Sequence, residues 1–397
     1  MIYLDNAATT QIDPEVLEAM MPYLTNEYGN PGSLYSHGRK AKEAVENARR
    51  QVAAFLNAEP EQIIFTSGGT EANNMVFTIT QHLLEKSGRK RAAFTAIEHD
   101  SVIKAARRMK IKHGFDVTKI PVNTAGSASH MALSDYYIND SMGLISMMFS
   151  NNEIGAFNLV HMISEKCHEH GILFHTDCVQ AAGYNVLDVK RIGCDFLTIS
   201  SHKIHGPKGV GALFVKNPRD VEPMILGGVN QEFGLRGGTE NVAGIVGFGK
   251  ACEISKRDHP EIVTKIIDLK AVFIKEFIER MKSYGISHKV SLNGDSYSGK
   301  TINFRIDGIE AETLLLMLDS MGVCISSGSA CNSRESIPSH VLKAIGLTDE
   351  QAASSFRVSF SKMNTVEEVK AAAHMVADCI FMLLFKSKHD DEEGLDK

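Results

Sequence analysis

Lys203 lies in the run Ser200-Ser201-His202-Lys203-Ile204-His205-Gly206-Pro207-Lys208-Gly209, directly after the short apolar stretch Phe196–Ile199. A lysine at the carboxyl end of a buried strand, with glycines after it, has the placement of an amine that condenses with a carbonyl. Most lysines are solvated loop residues, so the run gains meaning only from its company. Ser67-Gly68-Gly69-Thr70-Glu71 follows Ile63–Thr66, and its glycines let backbone N–H groups and a helix start approach an anion. Taken alone, that is an ordinary β–α turn. Asp177 follows Ile172–His175 and suits a carboxylate that keeps a pyridine nitrogen protonated, or simply a helix cap. Glu98-His99 follows Ala92–Ile97 and offers an imidazole to stack on a ring and move protons; a structural histidine is the plainer reading. Ser150-Asn151-Asn152-Glu153 follows Gly143–Phe149 and supplies amides for a ring hydroxyl. In an open parallel sheet such strand ends converge outside one edge, so the clusters together point to a single site.

Two further stretches stand apart. Ser326-Ser327-Gly328-Ser329-Ala330-Cys331-Asn332-Ser333-Arg334 is small and polar, does not suit a core, and is expected to expose Cys331 on a loop with Arg334 near enough to favour the thiolate. An incidental loop cysteine is the alternative. Arg357, in Phe356-Arg357-Val358-Ser359-Phe360, alternates with apolar neighbours and can clamp a carboxylate with two parallel hydrogen bonds, unless it is a solvent-facing strand residue. His168 and His170 sit two apart on a helical stretch, a spacing that splays side chains, so a solvated face is expected there and no metal site.

The elements that must position these residues alternate in type. Short apolar runs, with Gly211–Val215 as a further example, are separated by amphipathic stretches such as Arg39–Leu56 and Leu159–His170, which predicts βαβ units and a largely parallel sheet covered by helices. Beyond about residue 255 the pattern changes. A long charged helix over Ile262–Tyr284 is followed by strands near Val290–Leu292 and Thr301–Ile306, a helix over Glu310–Met321, and strands at Val323–Ile325 and Ser355–Phe360. This predicts a smaller α+β domain. Val122–Ser134 reads as a loop, and the acidic tail over 386–397 is expected to be disordered. With 397 residues, 43% hydrophobic and 23% charged, the chain can bury a large core. A net charge of −6 argues against direct nucleic-acid binding. The seven cysteines are scattered without a C-x-x-C pair, as free thiols in a reducing cytoplasm are. No secretory pattern opens the sequence, and no run of ~18 or more apolar residues predicts a membrane span.

With these residues assembled, the sequence resembles the cysteine desulfurases of the NifS/IscS type, within the class V aminotransferases. The matching stretches are YLDNAATT, GNPGSLYSHG, FTSGGTEANN, IEHDSV, NNEIG, HTDCVQ, SSHKIHGPKG, LRGGTEN, SSGSAC and SFRVSF, in order from Tyr3 to about Thr365. The resemblance implies a fold-type I enzyme dependent on pyridoxal 5'-phosphate. It would have a mainly parallel seven-stranded large domain over 14–255 and a small domain formed by 1–13 and 256–385, and would work as a homodimer. It implies that Lys203 forms the imine with the cofactor and that His99 stacks on the ring. Gly69, Thr70, Ser200 and His202 would hold the phosphate, Asp177 the pyridine nitrogen, and Gln180 and Asn152 the phenolic oxygen side. Thr239 would reach the phosphate of the neighbouring subunit's cofactor. Arg357 with Asn152 would bind the carboxylate of L-cysteine, and Cys331, in a stretch like that of the subgroup with a long mobile catalytic loop, would take the sulfur as a persulfide for an acceptor protein. His99 would serve the thiols as acid and base, and the other product would be L-alanine. Cys178, where the family commonly has a small residue, is expected to pack. The pathway stays open between iron–sulfur cluster assembly, tRNA thiolation and DNA phosphorothioate modification. A selenocysteine lyase, another class V enzyme and a non-catalytic scaffold are the alternatives.

Overall fold

The computed structural model describes residues 1–228, 231–295, 299–327 and 338–393. Its centre is a seven-stranded sheet in the order Ile63–Thr66, Gly211–Val215, Phe196–Ser200, Leu173–Asp177, Met142–Ser146, Arg91–Thr95 and Asp116–Ile120. Gly211–Val215 runs antiparallel to both of its neighbours, and the other pairings are parallel. Residues of the central strands are buried on both faces, the condition under which a strand reads as a continuous apolar run. The edge strand Asp116–Ile120 is absent from the sequence-based reading because its apolar run is broken: Val117 and Ile120 are buried, but Asp116 and Lys119 are exposed.

Helices Ser36–Leu56, Gly69–Ser87, Asp100–His113 and Val160–Glu169 accompany the sheet, each burying an apolar stripe at helical spacing. Their buried residues join the sheet in cores, the largest of which runs from Val16 to Ile254. A separate core gathers Leu4, Tyr184 and apolar residues from Ile262 to Leu384. It is built by helices His259–Ser283, Ala311–Ser320 and Val366–Glu393 against a three-stranded antiparallel sheet of Ser355–Ser359, Thr301–Ile306 and Val290–Leu292. Phe273, Phe277, Phe304, Phe356 and Phe360 form one aromatic cluster at its centre. Ile2–Tyr3 pairs in parallel with Val323–Cys324, which ties the first residues of the chain to this second core.

One expectation needs correction. Val122–Ser134 is not wholly a loop, because Ser129–Ala132 forms a helical turn whose Ser129 and Ala132 are buried. The last helix runs over Val366–Glu393, and the remaining residues of the segment expected to be disordered, 394–397, lie outside the described residues.

Strand Ile63–Thr66 is locked by a buried ion pair. Arg49 reaches both carboxylate oxygens of Glu232 at 2.8 Å and the Ile63 carbonyl at 2.7 Å, while Glu232 accepts the Phe65 amide at 2.7 Å. Both side chains are almost fully buried, and the guanidinium lies between the rings of Phe65 and Phe233. Removing one partner strands the other charge in the core. Glu232→Ala is expected to lower the unfolding free energy by about 3–5 kcal/mol, measured by urea denaturation, and replacing both partners with apolar residues is expected to recover most of that loss.

Candidate active site

The carboxyl ends of the parallel strands surround a cavity of about 220 Å³. Gly69, Thr70, His99, Asn152, Asp177, Gln180, Ser200, His202, Lys203 and Arg357 all line it. The structure therefore brings together ten of the residues singled out in the sequence, from both parts of the chain. Thr239 is exposed and does not line this cavity. Cys331 and Arg334 lie outside the described residues.

One wall is the start of helix Gly69–Ser87. Its first amides have no intrahelical acceptor, and an added Cβ at Gly69 would come within 2.8 Å of Val179 Cγ2. Ser200 ends its strand and His202 follows in the next turn, both lining the cavity, and His202 Nδ1 lies 3.1 Å from Thr9 Oγ1. Burial pushes His202 down to about 3, with the charges of Lys203, Lys300 and Lys208 adding to the effect, so its imidazole is neutral at physiological pH. The arrangement suits an anion: helix amides, a hydroxyl and nearby lysines.

Asp177 ends its strand and is held in place on both oxygens. Asn73 Nδ2 donates to Oδ2 at 2.7 Å, and the Val179 amide donates to Oδ1 at 2.9 Å. Asn73 also reaches Ser101 Oγ at 2.9 Å, and that hydroxyl lies 2.8 Å from His99 Nδ1. The Ser101 amide donates to the same Nδ1 at 3.1 Å, which leaves the ring proton on Nε2. His99 is thus both the N-cap of helix Asp100–His113 and a wall of the cavity. Lys203 Nζ donates to the carbonyls of Ala7 at 2.5 Å and Ala8 at 2.7 Å. Gln180 Nε2 donates to Ala7 as well, and its buried Oε1 has no hydrogen-bond partner. Arg357 is 1% exposed, with Nη2 2.6 Å from Asp5 Oδ1 and Nη1 3.1 Å from the Asn152 carbonyl, and Nε has no partner. The solvent-facing alternative for Arg357 is thereby excluded.

Asp5, Ala7, Ala8, Asn73 and Ser101 were not read as site residues from the sequence. Asn73 was within reach, since it follows Gly69 by one helical turn on the same face. The contribution of Ala7 and Ala8 is made by backbone carbonyls, which no residue type announces. Cys178 is fully buried beside Asp177, within 3.7 Å of Thr176 Oγ1, and burial pushes its thiol far above the ordinary range, so it packs as an inert core residue. His168 and His170 diverge, to Asp195 at 3.2 Å and to Asp140 at 2.9 Å.

Glu98, next to His99, is completely buried. It accepts from the Thr95 hydroxyl at 2.5 Å and the Met148 amide at 2.6 Å through Oε1, while Oε2 has no partner. Burial raises its carboxyl from 4.5 to about 8, opposed by the Thr95 hydrogen bond and reinforced by the charge of Asp177. A folded value above the unfolded one means that stabilisation is full below 4.5 and is lost as the pH rises through about 8. Glu98→Gln is expected to remove this loss. Urea unfolding across that window should show wild-type stability falling relative to the variant by up to a few kcal/mol, at about 1.4 kcal/mol per unit.

Comparisons with known proteins agree with this architecture. The family model described as aminotransferase class-V matches residues 2–372. A protein named cysteine desulfurase IscS from Clostridium botulinum (strain Hall) is 44% identical over 372 residues, 93% of this chain and 91% of the relative. Another of the same name from Dictyoglomus turgidum is 38% identical, covering 100% of this chain and 98% of its own. Among solved structures, a NifS-like protein from Rickettsia africae superposes with a TM-score of 0.81 at 32% identity, over 96% of this chain and 99% of that one. A structure described as SspA in complex with cysteine gives 0.77 at 30% identity, over 92% and 100%. From the matched length, the shared seven-stranded framework and the lysine-bearing cavity at its strand ends, the chain belongs to the class V aminotransferase family.

Proposed function

We propose that the protein is a cysteine desulfurase that uses pyridoxal 5'-phosphate to move sulfur from L-cysteine to Cys331. The observation that carries the reading is the convergence on one cavity of Lys203, Asp177 and His99, from strand ends far apart in sequence, and of Arg357, from a strand of the smaller sheet. The cavity fits the cofactor by its donor set. Helix-start amides with Ser200 suit a phosphate, Asp177 suits a ring nitrogen, and the unpartnered Gln180 Oε1 can take a hydroxyl. When bound, the cofactor withdraws electrons from the carbon that carries the substrate amine.

The residues of the chain supply the rest. Arg357 holds the substrate carboxylate, with Asp5 and the Asn152 carbonyl fixing the guanidinium plane and Nε left without a protein partner. Lys203 Nζ takes and returns the proton at the substrate Cα. His99 Nε2, the nitrogen turned from the Ser101 amide, serves the substrate thiol. The Cys331 thiolate attacks the substrate sulfur, so that an S–S bond forms as the Cβ–S bond breaks. The Cβ gains a proton, which gives L-alanine and a persulfide on Cys331.

Chain length supports Cys331 in that role. Ser326 is bridged to Arg357, and Ser339 donates to Glu153 at 2.5 Å, beside Asn152. At about 3.3–3.6 Å per residue, Cys331 stays within roughly 18 Å of Ser326, inside reach of the cavity and of the surface. We further propose a homodimer in which Thr239 completes the partner's site. Support comes from the exposure of Thr239 and of the apolar side chains Leu24, Tyr28, Leu34 and Tyr35 in one stretch, since such surface is normally covered. A cytoplasmic location and a sulfur-acceptor protein complete the reading. No helix among the described residues is long and apolar enough to cross a membrane.

The test is the release of alanine and sulfide from L-cysteine with a reductant. Wild-type protein loaded with pyridoxal phosphate should yield both, and Cys331→Ser and Lys203→Ala should each lose at least about 100-fold in rate. Undiminished alanine from Cys331→Ser would move the chemistry to another thiol.

A further inference from the structure

Beside the active-site cavity lies a smaller one of about 30 Å³ that shares Lys203 with it, and Lys300 forms part of its wall. Lys300 is 7% exposed and donates from Nζ to the backbone carbonyl of Lys203 at 3.2 Å. Among the described residues no carboxylate lies within ion-pair distance of it. An amine buried without a counter-ion costs stability, so its presence here calls for a physical reason.

Its charged surroundings come from several elements. Arg357, on strand Ser355–Ser359, repels it and is itself neutralised by Asp5. His202, Lys203 and His205 follow strand Phe196–Ser200, and Tyr184 and Lys362 share the smaller cavity, with Lys362 paired to Asp13 at 2.5 Å. Burial, then Arg357, holds Lys300 down to about 8, so it carries its charge at neutral pH. That charge is felt inside the active site, where it is one of the causes that keep His202 neutral.

We propose that Lys300 is a positioning residue for the reactive amine: its hydrogen bond fixes the main chain of Lys203, and its charge lowers the proton affinity of the Lys203 nitrogen, making that nitrogen available as a base at neutral pH. The proposal rests on the cofactor reading above. A unit charge whose nitrogen hydrogen-bonds to the Lys203 backbone at 3.2 Å, partly shielded by the protein, changes that residue's proton affinity on the order of tenfold.

The experiment titrates the visible absorbance of protein loaded with pyridoxal phosphate. Wild type is compared with Lys300→Met, Lys300→Gln and Lys300→Arg, with Lys203→Ala as the control for the band's origin and thermal melts as the control for folding. The expected result is a titration midpoint about one pH unit higher in Lys300→Met, equivalent to that tenfold change, and near wild type in Lys300→Arg. Lys300→Gln keeps a donor for the Lys203 carbonyl without the charge, and it should show the raised midpoint as well; it also carries the test if the Met variant does not fold. A Lys203-dependent band whose midpoint ignores the loss of charge at Lys300 overturns the proposal alone. A wild-type band that is absent, or that persists in Lys203→Ala, overturns the cofactor reading and the proposal with it.

Discussion

Arg357 buries its guanidinium to 1% exposure, and the architecture of the site follows from how that group is accommodated. Asp5 supplies the counter-charge and the Asn152 carbonyl a second acceptor. Asp5 belongs to the first residues of the chain, Asn152 to a turn after a strand of the central sheet, and Arg357 to a strand packed in the other core. Satisfying one guanidinium therefore fixes three distant pieces of chain against each other. A buried charge left without either partner would be far more costly than an exposed one, which makes this junction exacting in geometry.

The opening segment extends the same junction. Asn6 and Ala7 bond to Ser359, Thr10 to the His202 carbonyl, and Asp13 to Lys362. Residues 5–13 thus run between the cores and reach elements on both sides. The carbonyls of Ala7 and Ala8 receive Lys203 on this path, so the piece of chain that closes the seam also orients the Lys203 amine. On the proposed reading the connection matters for catalysis, because the proposed carboxylate clamp Arg357 and the proposed proton carrier Lys203 are both referenced to residues 5–8.

A second relay runs through the sheet. Asn73 on a helix, Asp177 on a strand and Ser101 with His99 at another helix start are joined by hydrogen bonds of 2.7 to 2.9 Å. It sets the orientation of Asp177 and leaves His99 Nε2 as the proton-bearing nitrogen. Glu98 beneath it remains protonated near neutrality because burial outweighs its hydrogen bonds, which avoids placing a second negative charge close to Asp177.

Much of this was legible in the sequence for identifiable reasons. Strands buried on both faces leave continuous apolar runs, and ligands gather at their carboxyl ends, so the clusters that hold Lys203, Asp177, His99, Asn152 and Gly69 could be placed together from the sequence, and all five residues line one cavity. The edge strand Asp116–Ile120 escaped because exposed Asp116 and Lys119 break its apolar run, and the helical turn Ser129–Ala132 because a single turn is too short to show a helical period. What only the tertiary structure decided is contact between residues remote in the chain: Asp5 with Arg357, Ala7 with Lys203, Asn73 with Asp177, and Lys300 under Lys203. Residue type and spacing encode local conformation and burial, whereas such pairings depend on how two cores are brought together and on backbone carbonyls that every residue possesses.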